Sequence, residues 1–356
     1  MGSTNISWTS TVLPDGTVLP GYTANFWWGC QRVSPGCERC YAEQLAVVRR
    51  KLPVWGPPKT TERQRKKGVW HDVVKWNRDA AKDGVRRRMF VSSMSDIFED
   101  HPQVIPWRAE ALALLEKCTS LDVQLLTKRP QSITRMVPPA WLDKWPAHVW
   151  VGTTVEDQKR AEERIPELLK VPARVRFLSC EPLLSAVNLN PPICPRCDGC
   201  ESTPGDDGAT PFCVPCGESD GNGEEMEYGG WLDACADESQ RGISWVIVGG
   251  ESGPSARPFD VEWARSIVGQ CRDAGVPVFV KQMGDNPTDT ALVDIFAPDG
   301  TRHYTRPFGD PDVDEALKTT GYTVQIHRPK YKAHHGADMR EWPEFLRRQQ
   351  FPTAAP

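Results

Sequence analysis

The stretch DVQLLTKRP, residues 122–130, places a short apolar run directly before charged residues. Leu125 and Leu126 are adjacent, so both faces of an extended chain would be apolar there. This is typical of a strand that is buried on both faces of a parallel sheet. Lys128 then follows at the point where the strand ends. The stretch therefore predicts a parallel strand with polar groups at its carboxyl end.

Similar runs recur along the chain, and helical stretches separate several of them. The predicted strands span 89–93, 122–128, 148–153, 174–179, 245–249 and 277–281, with a short first strand near Phe26. The predicted helices span 107–118, 157–170 and 261–274. This alternation predicts an α/β fold with a parallel sheet, either closed or partly closed as a barrel, or doubly wound.

Polar side chains collect where the predicted strands end. In parallel barrels the active site lies at that carboxyl rim. The rim candidates for cofactor or substrate contact are Ser93, Ser95, Asp96, Lys128, Glu156, Glu181 and Glu251, and the catalytic candidates are Cys180 and Glu181. Helix capping would explain any one of the Ser, Asp or Glu residues equally well. Their recurrence at successive strand ends favours a functional site.

Three cysteines follow the first predicted strand with the spacing C-x6-C-x2-C, at Cys30, Cys37 and Cys40. A structural zinc site needs four ligands, and the next histidine, His71, is 31 residues beyond Cys40. Three thiolates suit a 4Fe-4S cluster that keeps one iron open. Zinc with a distant fourth ligand, or ordinary packing of three free thiols, are the alternatives.

The chain has 12 cysteines among 356 residues and lacks a recognisable signal peptide or membrane span. We therefore expect a cytoplasmic protein with no membrane partner. In a reducing compartment, cysteines bind metals or clusters more often than they form a disulfide framework.

The first quarter of the chain is basic, although the whole chain has a formal net charge of -4. Residues 1–90 contain 16 Lys and Arg against 7 Asp and Glu, with Trp55, Trp70 and Trp76 among them. Such a segment could neutralise the phosphates of a nucleic acid and stack on its bases. The alternative is a set of solvated helix faces over core tryptophans.

A second cysteine group lies in CPRCDGCESTPGDDGATPFCVPC, residues 194–216. Two C-x2-C pairs, formed by Cys194, Cys197, Cys213 and Cys216, have the spacing of a zinc ribbon. Because Cys200 adds a fifth thiol, an auxiliary iron-sulfur cluster is the alternative.

We divide the chain at this insertion. The predicted parts are 1–190 (first part of the barrel, with the cluster loop), 191–242 (metal-binding insertion and acidic tether), 243–290 (remainder of the barrel) and 291–356 (C-terminal extension). From Asp285 onward the sequence loses strand periodicity.

Several segments together resemble a phage-associated family of uncharacterised proteins with a three-cysteine motif, related to the radical S-adenosylmethionine (SAM) barrel enzymes. They are GCQRVSPGCERCYAE, SSMSDIFED, LLTKRP, VGTTVEDQKRAEERIPELL, RFLSCEPLL and VIVGGESGPSARPF. The usual radical SAM spacing is C-x3-C-x2-C, so the first interval is longer here, and Arg39 precedes the last cysteine where an aromatic residue is usual.

The resemblance implies a parallel partial (β/α)6 TIM-like barrel of radical SAM type. It also implies a 4Fe-4S cluster on Cys30, Cys37 and Cys40, SAM chelated to the open iron, and an electron donor protein as partner. Cleavage of SAM would give a 5'-deoxyadenosyl radical.

Under this reading the rim residues would serve SAM or the substrate. Ser93, Ser95 and Asp96 would contact the amino group or ribose of SAM, and Lys128 its carboxylate or a substrate phosphate. Glu156, Glu181 and Glu251 would make similar contacts to SAM or face the substrate.

Two functions from different classes therefore stand. The first is a radical SAM enzyme whose substrate is a nucleobase or nucleic acid. The second is a non-catalytic, zinc-stabilised nucleic-acid-binding protein.

Overall fold

The computed structural model describes residues 3–190, 202–204, 211–213, 231–232, 242–299, 301–307, 313, 318, 322–332 and 334–352. The predicted zinc ligands Cys194, Cys197 and Cys216 lie outside these residues. The backbone of Cys213 is described, in a short hairpin strand, but its side chain is not.

The strands, in chain order, are β1 (Thr11–Val12), β2 (Val18–Leu19), β3 (Tyr22–Ala24), β4 (Trp27–Trp28), β5 (Gln64–Arg65), β6 (Arg87–Val91), β7 (Leu121–Thr127), β8 (Val149–Thr154), β9 (Arg176–Cys180), β10 (Ser202–Pro204), β11 (Pro211–Cys213), β12 (Trp245–Gly249), β13 (Phe259–Asp260), β14 (Val278–Gln282), β15 (Pro287–Phe296), β16 (Arg302–Pro307) and β17 (Thr323–His327).

The helices are α1 (Tyr41–Glu43), α2 (Val69–Asp83), α3 (Val104–Glu116), α4 (Ile133–Met136), α5 (Pro139–Asp143), α6 (Gln158–Leu169) and α7 (Val261–Asp273). A π-helical segment, Gln44–Arg49, continues α1. The carboxylates of Asp157 and Asp260 accept hydrogen bonds from backbone N–H groups at the starts of α6 and α7, as expected of N-cap residues.

A seven-stranded sheet with the order β14-β12-β9-β8-β7-β6-β3 forms the centre of the fold, and every neighbouring pair in it is parallel. The predicted parallel α/β sheet is confirmed. It has seven strands, one more than the six-stranded barrel that the resemblance implies. Helices α2, α3, α6 and α7 occur in the crossovers between its strands.

The sheet is curled into a half barrel, and aromatic contacts inside the curve demonstrate this. The ring of Trp8 lies 4.8 Å from the ring of Phe90 on β6 and 6.2 Å from that of Trp245 on β12, between centroids. Strands β7, β8 and β9 separate β6 from β12 in the sheet. One side chain can touch both strands only because the sheet bends around it.

The inside of the half barrel is packed at its amino end. We call this cluster the aromatic floor; its buried members are Trp8, Phe90, Trp150, Phe177, Trp245, Ile247 and Phe279. Gly152 makes room for the Phe177 ring, since a Cβ there would stand 2.6 Å from it. The opposite face of the sheet carries a larger core that includes residues of the helices.

The terminal segments cover one open edge of the half barrel. The N–H of Val280 donates to the carbonyl of Arg348, and the N–H of Gln350 donates to that of Val278. The indole of Trp245 donates to the Gln350 carbonyl at 2.9 Å. The C-terminal segment thus provides hydrogen-bond partners for the backbone groups along the free edge of β14, which would otherwise be unpaired.

Two sequence predictions need correction. The first strand of the sheet is Tyr22–Ala24, not a strand near Phe26, because Trp27–Trp28 pairs antiparallel with Gln64–Arg65 outside the main sheet. The region after Asp285 also forms strands: β15 pairs antiparallel with β16 and β17. No described helix is long and apolar enough to span a membrane.

Candidate functional site

The three clustered cysteines lie on one loop at the carboxyl edge of the sheet. This cysteine loop, residues 29–40, follows β4, and its three thiols are free and half-buried. Gly29 starts the loop with φ +113°, and its N–H donates to the Met94 carbonyl. A Cβ at Gly29 would stand 2.3 Å from the Val54 carbonyl oxygen, so only glycine fits there.

Cys30 is held by an arginine that follows β7. Arg129 Nη1 lies 3.7 Å from Cys30 Sγ, and Arg129 Nη2 donates to the Gln31 carbonyl at 2.8 Å. Burial raises the pKa of the Cys30 thiol to about 12, while the Arg129 charge acts in the opposite direction. Even with Arg129 beside it, this sulfur is therefore a thiol at neutral pH.

Asp96 holds Arg129 in turn. Its Oδ2 accepts from Arg129 Nη1 at 2.8 Å and from the Lys128 N–H, and its Oδ1 accepts from the Thr127 hydroxyl and the Phe98 N–H. Burial alone would raise the pKa of Asp96, but Arg129 and these hydrogen bonds keep it below its usual range. Both carboxylate oxygens are thus engaged by protein donors.

Cys37 and Cys40 lie close enough for their charges to interact. The charge of Cys37 raises the pKa of Cys40, after burial as the main cause, and the charge of Lys128 lowers it. The Ser34 hydroxyl lies 3.9 Å from Cys37 Sγ. Cationic groups that follow β7 therefore stand beside two of the three sulfurs, Arg129 beside Cys30 and Lys128 near Cys40.

A carboxylate after β8 holds the middle of the loop. Glu156 Oε1 accepts from the Gly36 N–H at 3.3 Å, and Glu156 Oε2 accepts from Arg164 Nη1 at 2.8 Å. Glu156 is fully buried. Burial alone would raise its pKa, but Arg164 and then Lys128 keep the pKa below the usual range. Glu156 is therefore an anion that ties the loop to the sheet.

An arginine after β12 holds the same stretch of the loop. Arg257 Nη1 donates to the Pro35 carbonyl at 2.9 Å. Its other guanidinium groups, Nε and Nη2, donate to the two oxygens of the buried carboxylate Glu251. Arg39 Nη1, from the loop, lies 4.0 Å from Glu251. Residues after β7, β8 and β12 thus fix the loop across the carboxyl edge.

A further buried ion pair supports the loop from the neighbouring segment. Arg63 donates to both oxygens of Glu99, at 2.9 and 2.8 Å, and both side chains are buried. Arg63 Nη2 also donates to the Gly56 carbonyl, while the Gly56 N–H donates to the Cys30 carbonyl. The backbone of Cys30 therefore has an ordered partner.

Polar side chains lie above the aromatic floor. Lys128, Thr154, Glu181 and Lys281 share the strand parity of the floor residues and follow them toward the carboxyl ends. Lys128 Nζ donates to Thr154 Oγ1 at 3.3 Å, and Lys281 Nζ lies 2.5 Å from Glu181 Oε1. The open half of the barrel is thus lined by charged groups near the loop.

The serines after β6 differ in their partners. Ser93 Oγ accepts from Asn25 Nδ2 at 2.9 Å. Among the residues that the structure describes, the buried hydroxyls of Ser92 and Ser95 have no hydrogen-bond partner. A buried polar atom without a partner costs free energy, so these hydroxyls are suited to a ligand or water.

Cys180 lies on the other side of the sheet. It is fully buried in the core that packs on the helices, near Cys271, and burial raises its pKa. Side chains alternate along a strand, so Ser179 and Glu181 have the opposite parity. The structure thus places Glu181 at the rim and Cys180 away from it.

Across the described ranges, no group of three or more His, Cys, Asp or Glu side chains is arranged to hold a metal ion. Ligands of a single zinc must converge on one point, at about 2.3 Å from the metal for sulfur. A 4Fe-4S cluster instead takes each thiolate on a separate iron.

The sequence analysis missed the cationic partners of the rim carboxylates: Arg129, Arg164 and Arg257. All three stand in the quoted motifs, and two of them, Arg129 in LLTKRP and Arg257 in VIVGGESGPSARPF, come directly after or near a strand end. That position was the available signal. The rim candidates predicted from that position include one cation, Lys128, and no arginine.

These features define a mixed α/β protein with a curled parallel sheet and a thiol-bearing loop fixed across its carboxyl edge. A family model described as "Protein of unknown function (DUF5131)" matches residues 3–345. The chain therefore belongs to the DUF5131 family. Neither a curated protein nor a solved structure matches it.

Proposed function

We propose that this protein is a radical SAM enzyme that binds a 4Fe-4S cluster through Cys30, Cys37 and Cys40, with a nucleobase or nucleic acid as substrate. The position of the cysteine loop carries the proposal: three free thiols stand at the carboxyl edge of a curled parallel sheet. Parallel barrel enzymes place their active sites at that edge. The sheet would then be a partial barrel of radical SAM type.

The donor set fits such a cluster. Three thiolates occupy three irons and leave the fourth open for a small ligand. Cluster binding requires deprotonated sulfur, and Arg129 and Lys128 supply positive charge near Cys30 and Cys40. The buried clamps at Gly36 and Pro35 hold the loop backbone in place before any cluster arrives.

When bound, the cluster would supply the electron that cleaves SAM to a 5'-deoxyadenosyl radical. The protein's own groups would bind and orient SAM and exclude water. Lys128, whose charge lowers the pKa of Cys40 and which lies above the floor, is suited to the SAM carboxylate. The free hydroxyl of Ser95, with Ser93 beside it, is suited to the amino group or ribose.

The remaining rim acids divide by what they contact. We propose that Asp96, Glu156 and Glu251 act as positioning residues, because protein donors already engage both oxygens of each. Glu181 is paired with Lys281 and Gln282 in the open half of the barrel, where a substrate would lie. We propose no catalytic role for Cys180, since its thiol is in the core.

The cysteine-rich insertion and the electron donor complete the proposal. Cys194, Cys197, Cys213 and Cys216 would hold zinc or an auxiliary iron-sulfur cluster, on the strength of their spacing alone. A separate electron donor protein would reduce the cluster at the cysteine loop.

The test is anaerobic purification and reconstitution, then dithionite reduction with SAM and chromatography for 5'-deoxyadenosine. We expect iron and sulfide in wild type, and deoxyadenosine that disappears in Cys37→Ala. Cys118→Ala is the matched control, because it removes a buried thiol from the core just after α3. It should keep both the iron and sulfide content and the formation of deoxyadenosine.

Two results would contradict the proposal. One is an iron and sulfide content in Cys37→Ala equal to that of wild type. The other is a wild-type protein that holds zinc alone and gives no deoxyadenosine, which would support the zinc-stabilised binding protein instead.

A further inference from the structure

The basic residues of the first quarter fall into two groups. Several are paired with carboxylates: Arg32 with Glu43, Arg63 with Glu99, Arg65 with Glu110, Arg78 with Asp79 and Arg86 with Asp122. Arg50 and Lys66 have no carboxylate partner within the part of the chain that the structure describes. Other basic residues of the quarter, such as Arg49, Arg87 and Arg88, also lack a carboxylate partner among the described residues, so Arg50 and Lys66 are distinguished by the aromatic ring that they share.

Arg50 and Lys66 meet at one tryptophan. Arg50 Cζ lies 5.7 Å, and Lys66 Nζ 4.1 Å, from the ring centroid of Trp28. Burial lowers the pKa of Lys66, and the charge of Arg50 lowers it further. Two cations held near each other without an anion repel, so an anionic ligand between them would be bound favourably.

This pair stands beside the cysteine loop. Trp28 and Cys40 pack against the same small cluster, which includes Met94. Tyr41 follows Cys40 directly, is 59% exposed, and donates from its hydroxyl to Met94 Sδ at 3.6 Å. An exposed aromatic ring therefore lies near both the cations and the thiols.

We propose that this Trp28 patch, formed by Trp28, Arg50, Lys66 and Tyr41, binds single-stranded nucleic acid. Arg50 and Lys66 contact backbone phosphates, and the Tyr41 ring stacks on a base. Positive groups that follow a backbone, together with an exposed ring, are the usual features of single-strand binding, and stacking requires an unpaired base. The inference deepens the proposed function. That the bound nucleic acid reaches the cysteine loop rests on that proposed function.

The experiment is fluorescence anisotropy with a labelled single-stranded oligonucleotide of mixed sequence, as DNA and as RNA, over a range of salt. The full-length protein is compared with Arg50→Gln/Lys66→Gln and with Tyr41→Ala. Lys82→Gln/Lys117→Gln is the control, since it removes two exposed charges at other helix ends.

We expect Arg50→Gln/Lys66→Gln to weaken binding on the order of tenfold at 0.1 M salt, and to reduce the slope of log K against log salt by about 1.4. Tyr41→Ala should weaken binding about fivefold or more. The control should retain the wild-type slope, and the matching duplex should bind more weakly than either single strand.

Equal affinity and slope in wild type and Arg50→Gln/Lys66→Gln would overturn the inference, as would stronger binding of the duplex or of polyglutamate. The proposed function fails separately, by the absence of deoxyadenosine. Strand binding without SAM cleavage would keep this patch and reject the enzyme.

Discussion

The two ends of the half barrel are filled by opposite chemistry. At the amino end, aromatic rings from several strands and from Trp8 pack together, and the guanidinium of Arg88 lies over the Trp150 ring. At the carboxyl end, buried ion pairs such as Arg129 with Asp96 and Arg164 with Glu156 hold a loop of three thiols. Apolar packing stabilises a fold directly, whereas buried ion pairs repay their desolvation only partly.

The contrast indicates that the amino end mainly stabilises the fold, whereas the carboxyl end mainly holds the cysteine loop in position. Buried charges are poor stabilisers on average, yet they fix groups in one geometry through short, directional hydrogen bonds. Because several such pairs contact the cysteine loop, we infer that they fix the position of that loop more than they stabilise the fold. Three substitutions test this division.

The largest expected effect is at the aromatic floor. Trp245→Ala removes a fully buried ring and should lower the free energy of unfolding by about 3–5 kcal/mol, measured by urea denaturation. Under the proposed function, the iron content of the protein that remains folded should not change. Trp263→Ala, which removes a half-buried ring on α7, is the control, and an equal loss there would contradict a special role for the floor.

The next effect is at the clamp after β12. Arg257→Gln leaves the buried Glu251 without its hydrogen-bonded charge partner and with only Arg39 at 4.0 Å, so we expect a loss of about 1–3 kcal/mol. It also releases the Pro35 carbonyl, so the Gly36 amide should exchange hydrogen faster. Arg135→Gln breaks an exposed pair with Asp100 and should cost less than about 1 kcal/mol. Unchanged exchange at Gly36 in Arg257→Gln would show that the clamp does not hold the loop.

The smallest effect depends on pH. Asp96 has a pKa below its usual range in the folded protein, so its ionised form stabilises the fold above about pH 4, the ordinary value of an unfolded aspartate. That contribution is lost as pH falls through the lowered folded pKa. Asp96→Asn should therefore be less stable than wild type at pH 7, with a difference that shrinks on acidification. A constant difference from pH 7 to pH 3 would reject the assignment.

The sequence predicted the sheet well because its strands are buried on both faces. Val248 and Val280, for example, are fully buried in runs of β-branched residues. The three-residue first strand, Tyr22–Ala24, pairs on one side only and carries no such pattern. Residues 287–296 alternate irregularly, with Asp289 buried against Arg265, so periodicity did not reveal β15.

The sequence predicted where the residues of the candidate site lie along the chain, but not which side chains they contact. The rim acids and the cysteines were expected near strand ends, where the structure places them. The position of Arg129 and Arg257 near strand ends indicates rim residues, but it does not show which carboxylate each arginine contacts, and Arg164 lies within a helix. Pairings between strand ends depend on the curl of the sheet, which local sequence does not encode.

The aromatic floor has one consequence for any long substrate. Because rings fill the amino half of the barrel, the interior resembles a cup with a base and not a tunnel. A polymer could not be threaded through it. One unit would have to enter from the side of the cysteine loop and leave the same way.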